Sequence, residues 1–126
     1  MARRETDIVR AILDYLKVKR VPAWRVNTGA FKAEYKGRVR FHRFGAPGMS
    51  DIIACLPPLG RMLALEVKRE DGEASEKQEE FLALVKSNGG VSAVVRSIDD
   101  VERLLSRVWG GPHEDTASDS SAIAGG

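Results

Sequence analysis

The spacing of apolar residues changes period several times along this 126-residue chain, and each change marks an element. From Glu5 to about residue 20, Ile8, Ile12, Tyr15 and Leu16 recur at helical spacing, with Val9 and Leu13 widening the stripe. That pattern predicts an amphipathic helix, which Pro22 stops. Glu5 starts on the same face as the stripe, an odd place for a carboxylate unless something needs it there. From Trp24 to Thr28 the period drops to two, with Trp24, Val26 and Thr28 on one face and Arg25 and Asn27 on the other, which predicts a strand. A second extended stretch is predicted at Arg38–Phe44, after a Lys36-Gly37 turn. There Val39 and Phe41 oppose Arg38, Arg40 and His42.

Gly45-Ala46-Pro47-Gly48-Met49-Ser50 reads as a loop. Asp51 opens the next strand, Ile52–Leu56; Pro57-Pro58-Leu59-Gly60 turns, and Arg61–Lys68 returns. So short a connection implies an antiparallel hairpin. In its second strand Ala64, Glu66 and Lys68 share one face, and Leu63, Leu65 and Val67 the other. Asp71-Gly72 marks a turn. Ser75 then begins a helix with a capping box to Gln78, and Glu76, Glu79 and Glu80 suit the positive end of its dipole. Phe81, Leu82, Leu84 and Val85 supply its apolar face, and Gly89 or Gly90 ends it. Val91–Val95 is a strand. Ser97 and Asp100 form a second box ahead of a last helix carrying Val101, Leu104, Leu105 and Val108.

This order predicts a mixed α/β domain over residues 1–109, with helices covering a central sheet. Residues 110–126 are Gly, Ser, Ala and acid, the composition of a disordered tail. No internal repeat is present. The length suits one core rather than two. No apolar run approaches the roughly 20 residues that span a bilayer, and Met-Ala-Arg-Arg-Glu-Thr-Asp lacks the apolar stretch of a signal peptide. The expected compartment is the cytoplasm, with no membrane partner. Cys55, the one cysteine, lies in the apolar run of the fourth predicted element and is expected to be a buried small hydrophobe.

Charge changes the picture through its distribution. The net charge is +2, but the tail holds Glu114, Asp115 and Asp119 and no Lys or Arg, leaving 20 basic against 15 acidic residues in the body. Between positions 17 and 43, Lys17, Lys19, Arg20, Arg25, Lys32, Lys36, Arg38, Arg40 and Arg43 face only Glu34. Such a concentration is either a solvated basic surface or the footprint of a polyanionic partner.

The hairpin brings Asp51, at the start of one strand, to Glu66 and Lys68, near the end of the other. Two converging carboxylates repel, and a hard divalent cation resolves the repulsion. Mg²⁺ favours carboxylate, water and phosphate oxygens. A cation so held polarises a phosphoryl oxygen and activates water, while Lys68 can orient that water or stabilise developing charge. Glu-x-Lys alone is a common surface ion pair. With two histidines, His42 and His113, and one cysteine there is no zinc or His-metal set. No phosphate-binding Gly-Lys-Ser/Thr loop is present, so no nucleotide cofactor is expected.

Taken together, Gly45-Ala46-Pro47-Gly48-Met49-Ser50-Asp51, Glu66-Val67-Lys68 and Ser75-Glu76-Lys77-Gln78 resemble the VRR-NUC family of the PD-(D/E)xK nuclease superfamily, over roughly Glu5 to Val95. The resemblance implies a restriction-endonuclease-like mixed sheet flanked by helices and a deoxyribonuclease dependent on Mg²⁺ or Mn²⁺. It implies that Asp51 and Glu66 bind metal, that Val67 offers its backbone carbonyl, and that Lys68 is the catalytic lysine. Gln78 resembles the family's active-site glutamine, against a role as capping residue alone. Glu5 resembles the acid brought to the site by the family's first helix, against a plain helix start. Where the superfamily has Pro before the Asp, this chain has Ser50, in keeping with a family whose loop carries Gly-x-x-Asp.

Arg25 and Asn27 either contact phosphate near the site or face solvent. Lys36, Arg38, Arg40 and Arg43 are candidates, with His42, for tracking a DNA backbone, which gives affinity without sequence readout. By analogy with stand-alone relatives, the resemblance implies a homodimer acting on branched DNA such as four-way (Holliday) junctions. The alternatives are a non-catalytic DNA-binding adaptor that kept the fold and a sequence-specific restriction-type endonuclease.

Overall fold

A computed structural model describes residues 4–26, 30–35, 38–43 and 48–111, with the backbone described at 30–35 and 38–43. The elements are α1 (Glu5–Val18), β1 (Ala23–Arg25), β2 (Ala30–Tyr35), β3 (Arg38–Arg43), β4 (Ile52–Leu56), β5 (Arg61–Val67), α2 (Glu76–Ser87), β6 (Val91–Val95) and α3 (Ile98–Val108). Four strands form a mixed sheet in the order β1-β4-β5-β6. β1 and β5 each run antiparallel to β4, whereas β6 runs parallel to β5. β2 and β3 pair separately as an antiparallel hairpin in which Tyr35 lies opposite Arg38. This is the mixed α/β, restriction-endonuclease-like architecture expected from the sequence.

The two faces of the sheet are covered unequally. α1 buries Ile8, Val9, Ile12 and Leu16, which join Ile52, Ala54, Leu63, Leu65 and Val67 of the sheet and Val101, Leu104 and Leu105 of α3 in the main core. Each such aliphatic side chain contributes about 1.5–3 kcal/mol by leaving water. On the opposite face α2 contributes Leu82 and Val85, which pack on Ala64 with Phe81, Ile53 and Val94 around them. The alternation predicted for β5 is therefore realised, with both of its faces buried.

Several expectations are corrected. α1 ends at Val18, two residues early: Arg20 takes φ 63°, and Val21 N–H returns to the Leu16 carbonyl at 2.8 Å, closing the helix before Pro22. The first strand covers Ala23–Arg25, one residue earlier than expected and without Val26, while Asn27 and Thr28 of the predicted Trp24–Thr28 strand lie outside the described residues. An unpredicted strand, β2, supplies the partner of β3. Cys55 is half-buried. It lies opposite Met62, which is 38% exposed, toward the end of the hairpin that α2 leaves uncovered. The second capping box is half made. Ser97 Oγ accepts from Asp100 N–H at 3.2 Å, but the short Asp100 side chain accepts from Arg96 N–H at 2.8 Å instead of closing on its cap. Among the described residues no helix is long and apolar enough to cross a membrane. The predicted tail beyond Gly111, Asn27, Lys36 and the Gly45–Pro47 part of the loop lie outside the described residues.

Candidate active site

The β4–β5 register sets Ile52 opposite Leu65, so the next residue back, Asp51, arrives beside Glu66 and Val67. Asp51 Oδ2 accepts a 2.8 Å hydrogen bond from Val67 N–H. Its own carbonyl accepts from Val26 N–H at 2.9 Å, carrying the row on toward β1. Ser50 is fully buried, and its hydroxyl donates to the Ile52 carbonyl at 3.2 Å, fixing the backbone around Asp51.

Gly48 ties the same loop to α2. Its φ is +82°, and a Cβ there would lie 2.5 Å from the Lys77 carbonyl oxygen. Glycine is required twice over, by the left-handed backbone and by the close approach. The Pro47-Gly48 pair signals the first reason in the sequence; the second depends on a contact 29 positions away and leaves no local trace.

Glu66 is 1% exposed, pointing from mid-sheet into the α2 side. Its Oε2 accepts a 2.7 Å hydrogen bond from Gln78 Nε2 and stands 3.4 Å from Lys68 Nζ. Its Oε1 is buried and has no hydrogen-bond partner among the described residues. Burial first, and then the Asp51 carboxylate, push the Glu66 carboxyl up to about 7, against the pull of Lys68. Burial also raises Asp51. The Val67 N–H and the Lys68 charge oppose this, and the charge of Glu5 adds to it.

Gln78 both caps α2 and contacts Glu66. Its Oε1 accepts from Ser75 N–H at 2.8 Å while Ser75 Oγ accepts from Gln78 N–H at 3.2 Å, completing the capping box. Its Nε2 is left to reach Glu66.

The carbonyl of Val67 also has a defined direction. Lys68 N–H donates to the Val95 carbonyl on β6 at 3.0 Å. The peptide is trans, so the Val67 carbonyl points away from β6, toward the Asp51 side.

Asp51, Glu66, Lys68, Gln78 and the Val67 peptide are thus brought together. Glu5 stands within Coulombic reach of Asp51, at the first residue of α1. Among the described residues, however, no three His, Cys, Asp or Glu side chains come together as a metal-holding group. Two carboxylates, one with an unpartnered buried oxygen, and a carbonyl turned the same way are hard oxygen donors, and they fit a hard cation. Arg25 is exposed on β1 opposite Ile52, one residue from Asp51. Arg38, Arg40 and Arg43 lie on β3, where their side chains are outside the described residues; Asn27 and Lys36 are outside them altogether.

The family model described as the VRR-NUC domain matches residues 3–99, from just before α1 into the first turn of α3. The chain belongs to the VRR-NUC family. A VRR-NUC domain implies a nuclease, a hydrolase with DNA as its substrate. The matched span contains every element that carries the site, from Glu5 on α1 to Gln78 on α2. No curated protein and no solved structure matches the chain.

One residue that the motifs omit also holds this VRR-NUC site in shape. Arg96, just after β6, donates through one guanidinium nitrogen to the carbonyls of both Arg69 and Gly72. It therefore pins the segment that leads from Lys68 to the Ser75 cap. Only the folded sheet, which sets β6 beside β5, brings it there.

Proposed function

We propose that this VRR-NUC domain is a divalent-metal-dependent, structure-selective DNA endonuclease that acts as a homodimer on branched DNA, four-way junctions included, in the cytoplasm. The observation that carries the metal dependence is the buried, unpartnered Oε1 of Glu66 beside Asp51. A buried carboxylate oxygen without a donor is costly, and a cation is the partner this geometry lacks. Asp51, Glu66, the Val67 carbonyl and Glu5 would hold Mg²⁺ or Mn²⁺. The cation supplies Lewis-acid activation of the phosphodiester and of water. Lys68, 3.4 Å from Glu66 and largely buried, is placed to orient the attacking water and to offset charge on the phosphate. Gln78 holds Glu66 in orientation through its amide. Arg25, Asn27, Lys36, Arg38, Arg40 and Arg43 would bind backbone phosphates.

Selectivity for branched DNA and the dimer rest on resemblance to stand-alone members of the family. Recognition of substrate by shape would suit such DNA, and two copies would place two sites on a junction. The test uses labelled linear duplex, flap and four-way junction with Mg²⁺ or Mn²⁺, beside Asp51→Ala and Lys68→Ala. Paired symmetric nicks in the junction, lost in both variants, are expected. Absence of metal-dependent cleavage of all three DNAs would overturn the nuclease assignment, and cutting of linear duplex at one fixed sequence would favour a restriction-type enzyme. Light scattering at micromolar protein should give twice the chain mass; a strict monomer removes the paired-site arrangement.

A further inference from the structure

Trp24 is 56% exposed, although it sits in the middle of a strand of the main sheet. The register explains which way it faces. Trp24 lies opposite Ile53, and Ile53 opposite Ala64. Cross-strand partners share a face and residues two apart on a strand share it too. Trp24 therefore stands on the face that carries Glu66, not on the face covered by α1 and α3. On that face α2 packs over Ala64, with Ile53 at its margin. Trp24 is one strand beyond Ile53, at the sheet edge and outside the cluster.

Its distance from the chemistry is short in the register. Val26, two residues on and on the same face, donates its N–H to the Asp51 carbonyl. Trp24 and Asp51 thus occupy neighbouring strands, one pleat repeat apart, roughly 7–8 Å between backbones. Arg25, between Trp24 and Val26, is exposed at the same edge but belongs to the opposite face, across from Ile52. The result is an exposed indole face beside the metal-site carboxylate, on the face that also carries Lys68 beside Glu66, and an exposed aromatic face is the stacking surface on which unpaired nucleotides bind.

We propose that Trp24 is a substrate-binding residue that stacks on an unpaired nucleobase flanking the scissile phosphate. This rests on the DNA-nuclease reading above and supplies it with a physical basis for preferring branched over continuous duplex DNA. Bases in a continuous helix are stacked on each other and present no free face, whereas those at a branch point can splay onto an aromatic side chain. A second copy of this chain on the same face is the competing occupant, and it is distinguished by the test.

The test measures equilibrium binding by anisotropy, with Ca²⁺ in place of Mg²⁺, for a single-stranded oligonucleotide, a four-way junction and a blunt duplex. Wild type, Trp24→Ala and Trp24→Phe are compared, with light scattering on each. Trp24→Ala should bind the oligonucleotide and the junction about tenfold more weakly, Trp24→Phe should stay within a few-fold of wild type, and blunt-duplex affinity should not change. The intrinsic fluorescence of the wild type should be quenched by the oligonucleotide, and that quench should vanish in Trp24→Ala. Unchanged affinity of Trp24→Ala for all three DNAs would overturn the assignment while leaving the nuclease reading intact. So would a mass halved by Trp24→Ala, which would make the face a contact between copies. Failure of the wild type to bind any of the three would overturn both.

Discussion

The amide of Gln78 joins the start of α2 to the C-terminal end of β5: Nε2 donates to Glu66 Oε2 at 2.7 Å while Oε1 of the same side chain caps the helix through Ser75 N–H. Structure and chemistry are therefore loaded on one residue, and two substitutions separate them. Gln78→Glu keeps the capping acceptor but exchanges the donor for a third carboxylate facing Glu66. Gln78→Ala loses both. Gln78→Ala is expected to cost about 1–2 kcal/mol of stability and Gln78→Glu less, yet both should lower cleavage at least tenfold. Thermal melts and single-turnover cleavage rates on a junction check this, and wild-type cleavage by Gln78→Glu would reduce Gln78 to a cap.

A pH dependence follows from Glu66. Its carboxyl binds a proton in the folded protein up to about pH 7, whereas the unfolded chain releases it near 4.5. Across that window the folded state holds the extra proton. The site's contribution to stability is thus fully present below the unfolded value and is lost as pH rises to about 7, on the order of 2–3 kcal/mol in all. In metal-free buffer the melting temperature of the wild type should fall across this range more steeply than that of Glu66→Gln. Adding Mn²⁺ at pH 8 should restore stability to the wild type and not to Glu66→Gln, because the cation replaces the proton. Parallel pH profiles for the two proteins would show that Glu66 does not titrate in this range.

Gly48 and Gly89 make a matched pair. Both have positive φ, +82° and +92°, but a Cβ at Gly89 meets nothing within 4 Å whereas one at Gly48 runs into the Lys77 backbone. Gly89→Ala should cost about 1 kcal/mol for the left-handed conformation alone. Gly48→Ala should cost about 2–4 kcal/mol and should also depress cleavage, since relieving the clash moves the loop that ends in Asp51. Chemical denaturation midpoints and cleavage rates decide it; equal costs at the two positions would mean that the loop shifts freely.

The legible parts of the site are those with short-range signatures. Asp51, Glu66 and Lys68 could be set together because Pro57–Gly60 leaves room only for a tight hairpin, which fixes the register. Gln78 could be singled out because the capping box specifies its offset from Ser75. β2 does carry a sequence signal: Phe31, Ala33 and Tyr35 alternate with Lys32 and Glu34 ahead of Lys36-Gly37. A turn there needs an arm on both sides. The half-exposure of Cys55 is not legible in its apolar run, because the run does not say how far the helix on that face of the sheet extends. The contacts of Gly48 with Lys77 and of Arg96 with Arg69 and Gly72 join segments far apart in the chain, and the exposure of Trp24 depends on where α2 stops. None of these has a local pattern.

Arg96 offers the sharpest separation of positioning from bulk stability. Its guanidinium holds the Arg69 and Gly72 carbonyls, and its own backbone N–H is held by Asp100 Oδ2 at 2.8 Å. Asp100 in turn pairs with Arg103 on α3. The segment between Lys68 and Ser75 is thus pinned at its middle to β6 and α3, and its two ends carry the lysine and the cap of the glutamine helix. Arg96→Ala should remove two charge-assisted hydrogen bonds, costing about 1–3 kcal/mol. It should also lower kcat with KM little changed, because Lys68 and Gln78 lose their fixed spacing while Arg25, proposed to bind phosphate, lies on β1 away from the change. Arg96→Lys can satisfy one carbonyl at a time and should fall between. Asp100→Asn keeps an acceptor for the Arg96 N–H and should leave kcat near wild type while weakening the Arg103 pair. A variant Arg96→Ala that loses stability but turns over junction DNA at the wild-type rate would limit Arg96 to a loop anchor with no bearing on the site.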